Sequence, residues 1–417
     1  MHTIRAFFLF ICLLPQILKA QAGINTEAEK LSLADAVRTG LLNNPEIKKA
    51  LENINAAKGR FWSGISLPAP EVNVSYDFIP DNSGLNAYDE RTIEISQSFA
   101  FPYEYVLKGK IFNTEEDAAY SSLKQVEMSV ISQIKSAYYT LLAKLQLSYL
   151  AKNNLQIAKE FADKAEIRFN SGEGTNLEKL TARVQFSETQ NKVEQALTDI
   201  NTANANLEFI MGTSGGTYIL TDSLAFSKYN ISLQELTQIA SQANQRIISA
   251  ELNTQSASAE KGLAWSSLFP AFTVSYMKQA RSGNKDYYGA SLGISVPIWF
   301  MFDQKGKIQE ASANLSIAET GLRLIKDEVN LKIKNAFNGY GNNLKQVKLY
   351  IDEILPQSEE IYRTALASYD TGEISYLEYL QAQQTLINAR SNYIDILLNY
   401  NLALTALEEA VGAEFTK

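Results

Sequence analysis

The chain holds one histidine, His2, and one cysteine, Cys12, both within its first dozen residues. Beyond Cys12 it offers no imidazole base, no thiol nucleophile and no His or Cys ligand for zinc, copper or haem. Carboxylates, lysines, tyrosines and hydroxyls are left. An enzyme built on carboxylates alone, such as a glycosidase, needs two acids facing each other across a cleft. Here the acids are spread along helix faces and no pair stands out. With 38 basic against 46 acidic side chains, and no Lys/Arg cluster interleaved with aromatics, the chain is not a nucleic-acid binder. No catalytic residue, metal ligand or cofactor is expected.

The elements must therefore explain what the residues do not. The chain has 417 residues, 46% of them hydrophobic and only 9 of them Pro, which allows a large interior and long helices. Its start reads as a secretory signal peptide over residues 1–22. Arg5 precedes a short apolar run from Ala6 to Leu14, and Ala20-Gln21-Ala22 forms the exit. Cys12 lies inside that run after bulky Ile11, which argues against acylation. Losing residues 1–22 removes Arg5 and Lys19, leaving 36 basic against 46 acidic side chains, or −10. An exported chain without Cys has no disulfide, so packing must hold it together. No later run is long enough for a transmembrane helix, so any membrane insertion must be by strands.

Sliding the sequence along itself reveals a duplication at an offset of 200. Residues 32–76 and 232–276 share 12 of 45 positions without a gap, among them Asn44 with Asn244 and Val74-Ser75-Tyr76 with Val274-Ser275-Tyr276. Residues 168–212 and 368–412 share another 12 of 45, including Gly172-Glu173 with Gly372-Glu373 and Gly212 with Gly412. The organisation expected is a repeat over 23–212, a linker over 213–231, a second repeat over 232–412 and a tail over 413–417.

Within each repeat the hydrophobic period changes. Helical spacing covers 33–63, opened by Ser32 with Asp35 in a capping-box pattern. Strict alternation follows in Glu71 to Phe78 and in Thr92 to Phe99, broken only at Gln97. The second repeat alternates from Phe272 to Tyr276 and from Tyr288 to Val296. Each pair predicts a hairpin, over 71–99 and 271–296, with loops Pro80 to Glu90 and Gln279 to Asp286. Long helical runs then cover 111–168 and 176–210, and again 307–368, interrupted at Pro356, and 376–410.

Amphipathic strands of this length suit either an outer-membrane barrel or a half-buried soluble sheet. Export, and helices too long to fold back over so small a sheet, favour the barrel. Four strands cannot close one, since about eight is the smallest and an open edge in lipid leaves backbone groups unpaired. Three copies would supply twelve strands and gather the helices into one tube. The alternative is an exported helical scaffold or adhesin that never enters lipid.

Several motifs resemble the TolC-like outer-membrane efflux proteins, across nearly the whole mature length. They are Asn43-Asn44-Pro45-Glu46, Lys108-Gly109-Lys110 and Lys305-Gly306-Lys307. Above all they are the paired turns Arg168-Phe169-Asn170-Ser171-Gly172-Glu173 and Ser368-Tyr369-Asp370-Thr371-Gly372-Glu373. The resemblance implies a mainly α homotrimer, with a twelve-stranded outer-membrane β-barrel in lipid continuous with a periplasmic α-helical barrel. That places it in a Gram-negative outer membrane, as the passive channel of a tripartite efflux or type I secretion system. It would accept substrate from an inner-membrane pump through a periplasmic adaptor. The family carries acidic residues six positions after each turn glycine, here Glu178 and Glu378, and a Tyr three before the second, here Tyr369. By that resemblance these three narrow the periplasmic entrance. The same turns would dock the adaptor, with Arg168, Gly172, Glu173, Gly372 and Glu373 exposed at the tip. One departure is Ile374, which stands where the best-known pattern has an Arg, so the family's ionic latch is not expected at that point. Aromatics from Tyr76 to Trp299 near the strand ends resemble interface girdles.

Overall fold

The computed structural model describes residues 29–415 except Leu85, Thr217 and 282–284, and the signal peptide expected over 1–22 lies outside them. The first repeat runs β1 (Glu29–Leu31), α1 (Leu33–Asn43), α2 (Pro45–Gly64), β2 (Glu71–Asp77), β3 (Glu90–Phe99), α3 (Pro102–Asn170) and α4 (Asn176–Met211). After β4 (Tyr218–Leu220) come α5 (Leu233–Ala243), α6 (Gln245–Ser266), β5 (Ala271–Arg281), β6 (Lys285–Ser295), α7 (Asp303–Leu349), α8 (Leu355–Asp370) and α9 (Tyr376–Val411).

The helical run expected over 33–63 is two helices. Pro45 excludes the α-conformation from the residue before it, and Asn44 is accordingly extended at φ −58°, ψ 128°. Asn44 uses both ends of its amide. Its Oδ1 accepts the Glu46 N–H at 2.7 Å, capping α2, and its Nδ2 donates to the Ile210 carbonyl at 2.8 Å. Asn244 does the same with Arg246 at 3.0 Å and Ala410 at 2.9 Å. Gly212 and Gly412 close α4 and α9 in left-handed conformations, φ +69° and +81°. A Cβ there would lie 2.8 Å from the Asn43 carbonyl oxygen or 2.9 Å from the Asn244 Cα. The Asn and Gly identities shared by the repeats thus build one junction twice.

At 69 residues, α3 spans about 100 Å. Its counterpart in the second repeat is divided. A π-turn at Tyr350–Ile354 separates α7 from α8, and the Leu355 N–H reaches back to the Tyr350 carbonyl. Pro356 carries no N–H and its ring crowds the carbonyl four residues earlier, so the wider turn admits it without ending the helix. The main core lies midway along these helices. There Val130, Ile134, Tyr138 and Leu141 of α3 meet Leu207, Leu236, Ile333, Tyr400 and Leu407. The predicted linker is part of this belt, since β4 pairs in parallel with β1 and Tyr138 donates to the Leu31 carbonyl and to Asp222. No described helix is long and apolar enough to cross a membrane.

The other sheet is antiparallel in the order β2-β3-β5-β6. The ladder from Glu90 with Arg281 to Phe99 with Phe272 joins the two hairpins, and β2 and β6 remain as open edges. In the second hairpin the strands run on past the expected loop boundaries, to Arg281 and from Lys285. Register sorts the faces. Val72 opposes Ile95, Ile95 opposes Tyr276 and Val274 opposes Leu292, so one face is apolar, and all of these residues are exposed. Gln97, the exception on that face, donates from Nε2 to the Pro68 and Ser98 carbonyls at 2.8 and 2.9 Å. On the other face Ser275 meets Ser291 at 2.8 Å, and Glu90 bonds Gln279 and, at 3.1 Å, Arg281.

Candidate functional site: the helical tip

Far from the sheet, α3 and α8 end in matching turns. Gly172 and Gly372 adopt φ +80° and +78°. The Glu173 N–H donates to the Arg168 carbonyl at 2.9 Å and the Gly172 N–H to that of Phe169 at 3.1 Å, with Glu373 to Ser368 and Gly372 to Tyr369 as equivalents at 2.8 and 3.1 Å. These are Schellman closures, which need a left-handed residue at that position. No heavy atom lies within 4 Å of where either glycine's Cβ would be, so backbone conformation alone selects Gly. Glu173 and Glu373 are exposed just beyond.

The next residues start α4 and α9, and here the repeats diverge. Ser375 and Glu378 form a complete capping box, in which the Glu378 carboxylate accepts the Ser375 N–H at 2.8 Å. Ser375's N–H and hydroxyl hold that carboxyl below the usual carboxylate range. Thr175 caps α4 through its own hydroxyl, 3.1 Å from the Glu178 N–H. The Glu178 carboxylate turns across to the other repeat, where the Tyr369 hydroxyl donates to it at 3.1 Å. Arg168 donates to that same hydroxyl at 3.1 Å and stands 3.6 Å from the carboxylate. Tyr369 thus bridges the two turns within one chain. Burial, then the Glu178 charge, raises its pKa, with Arg168 opposing.

An aromatic cluster supports the bridge. Phe161 stacks on Tyr379 at 4.6 Å between ring centroids, Tyr369 on Tyr379 at 5.3 Å, and Tyr376 packs alongside at 5.9 Å from Phe161. Ile374 packs against the same cluster. Burial, then Tyr369 and Glu178, pushes the Tyr376 hydroxyl up to about 12. Beside the bridge lies a cleft of about 530 Å³ lined by Arg168, Glu173, Glu178, Tyr369, Gly372 and Tyr376. Among the described residues no group of His, Cys, Asp or Glu could hold a metal ion.

The structure therefore brings Glu178, Tyr369 and Arg168 together and keeps Glu378 on its own helix start. Sequence reasoning placed Arg168 with the docking residues and did not foresee its link to Tyr369, nor the support from Phe161 and Tyr376. A signal was present in the duplication. Arg168 stands opposite Ser368, and Phe169 opposite Tyr369, so the two positions that make the bridge are two that the repeats do not share.

A set of long packed helices with a small amphipathic sheet at one end and paired turns at the other, its pattern built twice in one chain, is the architecture of an outer-membrane channel subunit. The outer membrane efflux protein family model matches residues 36–213 and again 236–413, and the chain belongs to that family. Among its relatives is the cobalt-zinc-cadmium resistance protein CzcC of Cupriavidus metallidurans, 20% identical over 388 residues, covering 92% of this chain and 91% of that one. The cation efflux system protein CusC of Escherichia coli K12 is 25% identical over 398 residues, covering 87% and 82%. A crystal structure of CusC superposes with a TM-score of 0.79 at 17% identity, over 98% of this chain and 99% of that chain. The protein is an outer-membrane channel of an efflux system, with a periplasmic helical extension, and a transporter by class.

Proposed function

We propose that three copies form a passive conduit that carries cations from an inner-membrane pump and its periplasmic adaptor to the exterior. The observation that carries this reading is a four-stranded sheet with an exposed apolar face and two open edges. In lipid such edges must pair, and a ring of three chains pairs β6 of each with β2 of the next. The relatives named for cation efflux and for cobalt, zinc and cadmium resistance support the cargo class, as does the chain's lack of His and Cys beyond Cys12, which suits passage without tight coordination.

At the periplasmic entrance, Tyr369 ties Glu178 and Arg168 across the two turns and holds the tip narrow. Glu378 adds an exposed carboxylate, present three times in a trimer, that concentrates cations. The repeats 23–212 and 232–412 act as two staves of one wall about the linker 213–231. Adaptor docking falls on the exposed turns around Gly172, Glu173, Gly372 and Glu373, and on Arg168, whose engagement frees Tyr369 and lets the tip widen.

Single-channel recording in planar bilayers tests this. Tyr369→Phe should raise resting conductance, and Glu378→Ala should weaken block by multivalent cations. If both variants conduct and block like the parent, the entrance role is wrong.

A further inference from the structure

Beside the belt lies a second cleft, of about 460 Å³, that neither the tip nor the sheet uses. It opens between the end of the 213–231 linker, α5 and the C-terminal tail. Tyr229 and Phe415, both half-buried, supply its aromatic walls, and Asn230, Gln238 and Gln242, all exposed, supply amides. The walls are anchored. The Tyr229 carbonyl accepts the Tyr340 hydroxyl at 3.1 Å, and the Phe415 N–H donates to Glu408 at 3.2 Å. Glu235 is the one charged side chain in the lining, and its carboxylate is spent on the start of α5, where it accepts the Ser232 hydroxyl at 2.8 Å and the Ser232 N–H at 3.3 Å.

This lining belongs to the second repeat alone. Gln234, Gln238 and Gln242 recur along one face of α5, where α1 has Ala34, Arg38 and Leu42. A solvated helix face is served equally well by charges, but here it carries neutral amides, each with two donors and an acceptor oxygen. A neutral cleft that sets amides beside two rings suits a neutral, hydroxyl-rich ligand with flat apolar faces, which is the chemistry of a sugar. Its place in the fold says which sugar. α6 carries the chain 22 residues, about 33 Å, from the end of α5 toward the sheet, so the cleft lies that far to the periplasmic side of the membrane. α5 packs on α7 and α9. A wall of helices around an open bore must carry α5 on its outer side, and there the cleft meets the glycan mesh of the cell wall, through which any conduit across the periplasm has to pass.

We propose that this cleft holds a glycan strand of the cell wall. N-acetylated sugar units stack against Tyr229 and Phe415, and the amides of Asn230, Gln238 and Gln242 bond their hydroxyl and acetamido groups. Three such clefts in a trimer pin the conduit to the wall it threads. The inference rests on the conduit reading above for the direction in which the cleft faces.

Co-sedimentation of the full, detergent-solubilised chain with protein-free cell-wall sacculi tests this. The parent should sediment with the sacculi at low salt and at about 0.5 M salt alike, because the cleft is neutral. Gln238→Ala with Gln242→Ala, both on an exposed face, should weaken binding about ten-fold. Arg38→Ala with Leu42→Ala, at the matching positions of α1, should not. Glycan strands freed of their stem peptides should compete, whereas stem peptides alone, or a glucose oligomer without acetamido groups, should not. Release by salt, competition by stem peptides alone, equal competition by the glucose oligomer, or a double glutamine variant that binds like the parent each overturns the proposal. Planar-bilayer conductance separates it from the reading it rests on. A chain that forms channels but does not bind sacculi overturns the glycan cleft alone, and one that binds sacculi through the two glutamines but forms no channel overturns the conduit alone.

Discussion

Replacing Tyr369 with Phe removes a hydroxyl that donates to Glu178 and accepts from Arg168, and leaves the two charges 3.6 Å apart without their bridge. The expected loss is about 1 kcal/mol of tip stability, together with the rise in resting conductance already described. Two titrations belong to this scale. Glu378 is held below its ordinary value of 4.5, so its bond to Ser375 supports the helix start above that value and is lost as pH falls below it. Ser375→Ala should bring the Glu378 titration back toward 4.5 in carbon NMR. Tyr376 has the opposite sign. Raised to about 12, it favours the fold while neutral, and the support fades as pH climbs from 10 toward 12. Alkaline absorbance titration should lose one late-titrating tyrosinate in Tyr376→Phe, while the buried Tyr138 and Tyr400, also raised, still titrate late. The turn glycines and both glutamates were legible in the sequence because they recur 200 residues apart. The bridge was not, since Arg168 and Tyr369 are 201 residues apart and no local period connects them.

The Asn/Gly junctions carry the clearest stability expectation among the elements. Asn244→Ala removes a helix cap and orphans the Ala410 carbonyl, at a cost of about 2–3 kcal/mol. Gly412→Ala forces a side chain into a left-handed backbone against Asn244 and should destabilise by at least about 1 kcal/mol. Thermal melts of both variants, beside Asn44→Ala and Gly212→Ala, should fall in parallel if the junctions are equivalent. Long helices and hairpins were readable from period because each sustains its pattern over many residues. The pairing of β1 with β4 was not, because three residues are too few to show alternation. The helix break at Asn44 had its signal in Pro45, which the apolar spacing on either side outweighed.

For the molecule as a whole, the apolar sheet face sets the decisive expectation. Leu292→Lys places a charge on that face near mid-strand and should destabilise the inserted state by about 2–4 kcal/mol, read as a lower folded fraction in liposomes. A scaffold outside the membrane would tolerate it. Alternation alone left lipid and solvent equally possible for this face, and membership of the efflux family is what decides between them. The central β3–β5 ladder joins one repeat to the other, so the chain already contains, between its own halves, the kind of seam that the proposed ring of three chains makes between neighbours. A gene cut in the connector after β4 would then yield two shorter polypeptides that recognise each other through that seam, as the fragments of a split reporter do. Co-produced, each behind its own signal peptide, they should restore export in a strain lacking the intact gene, whereas either fragment alone should not.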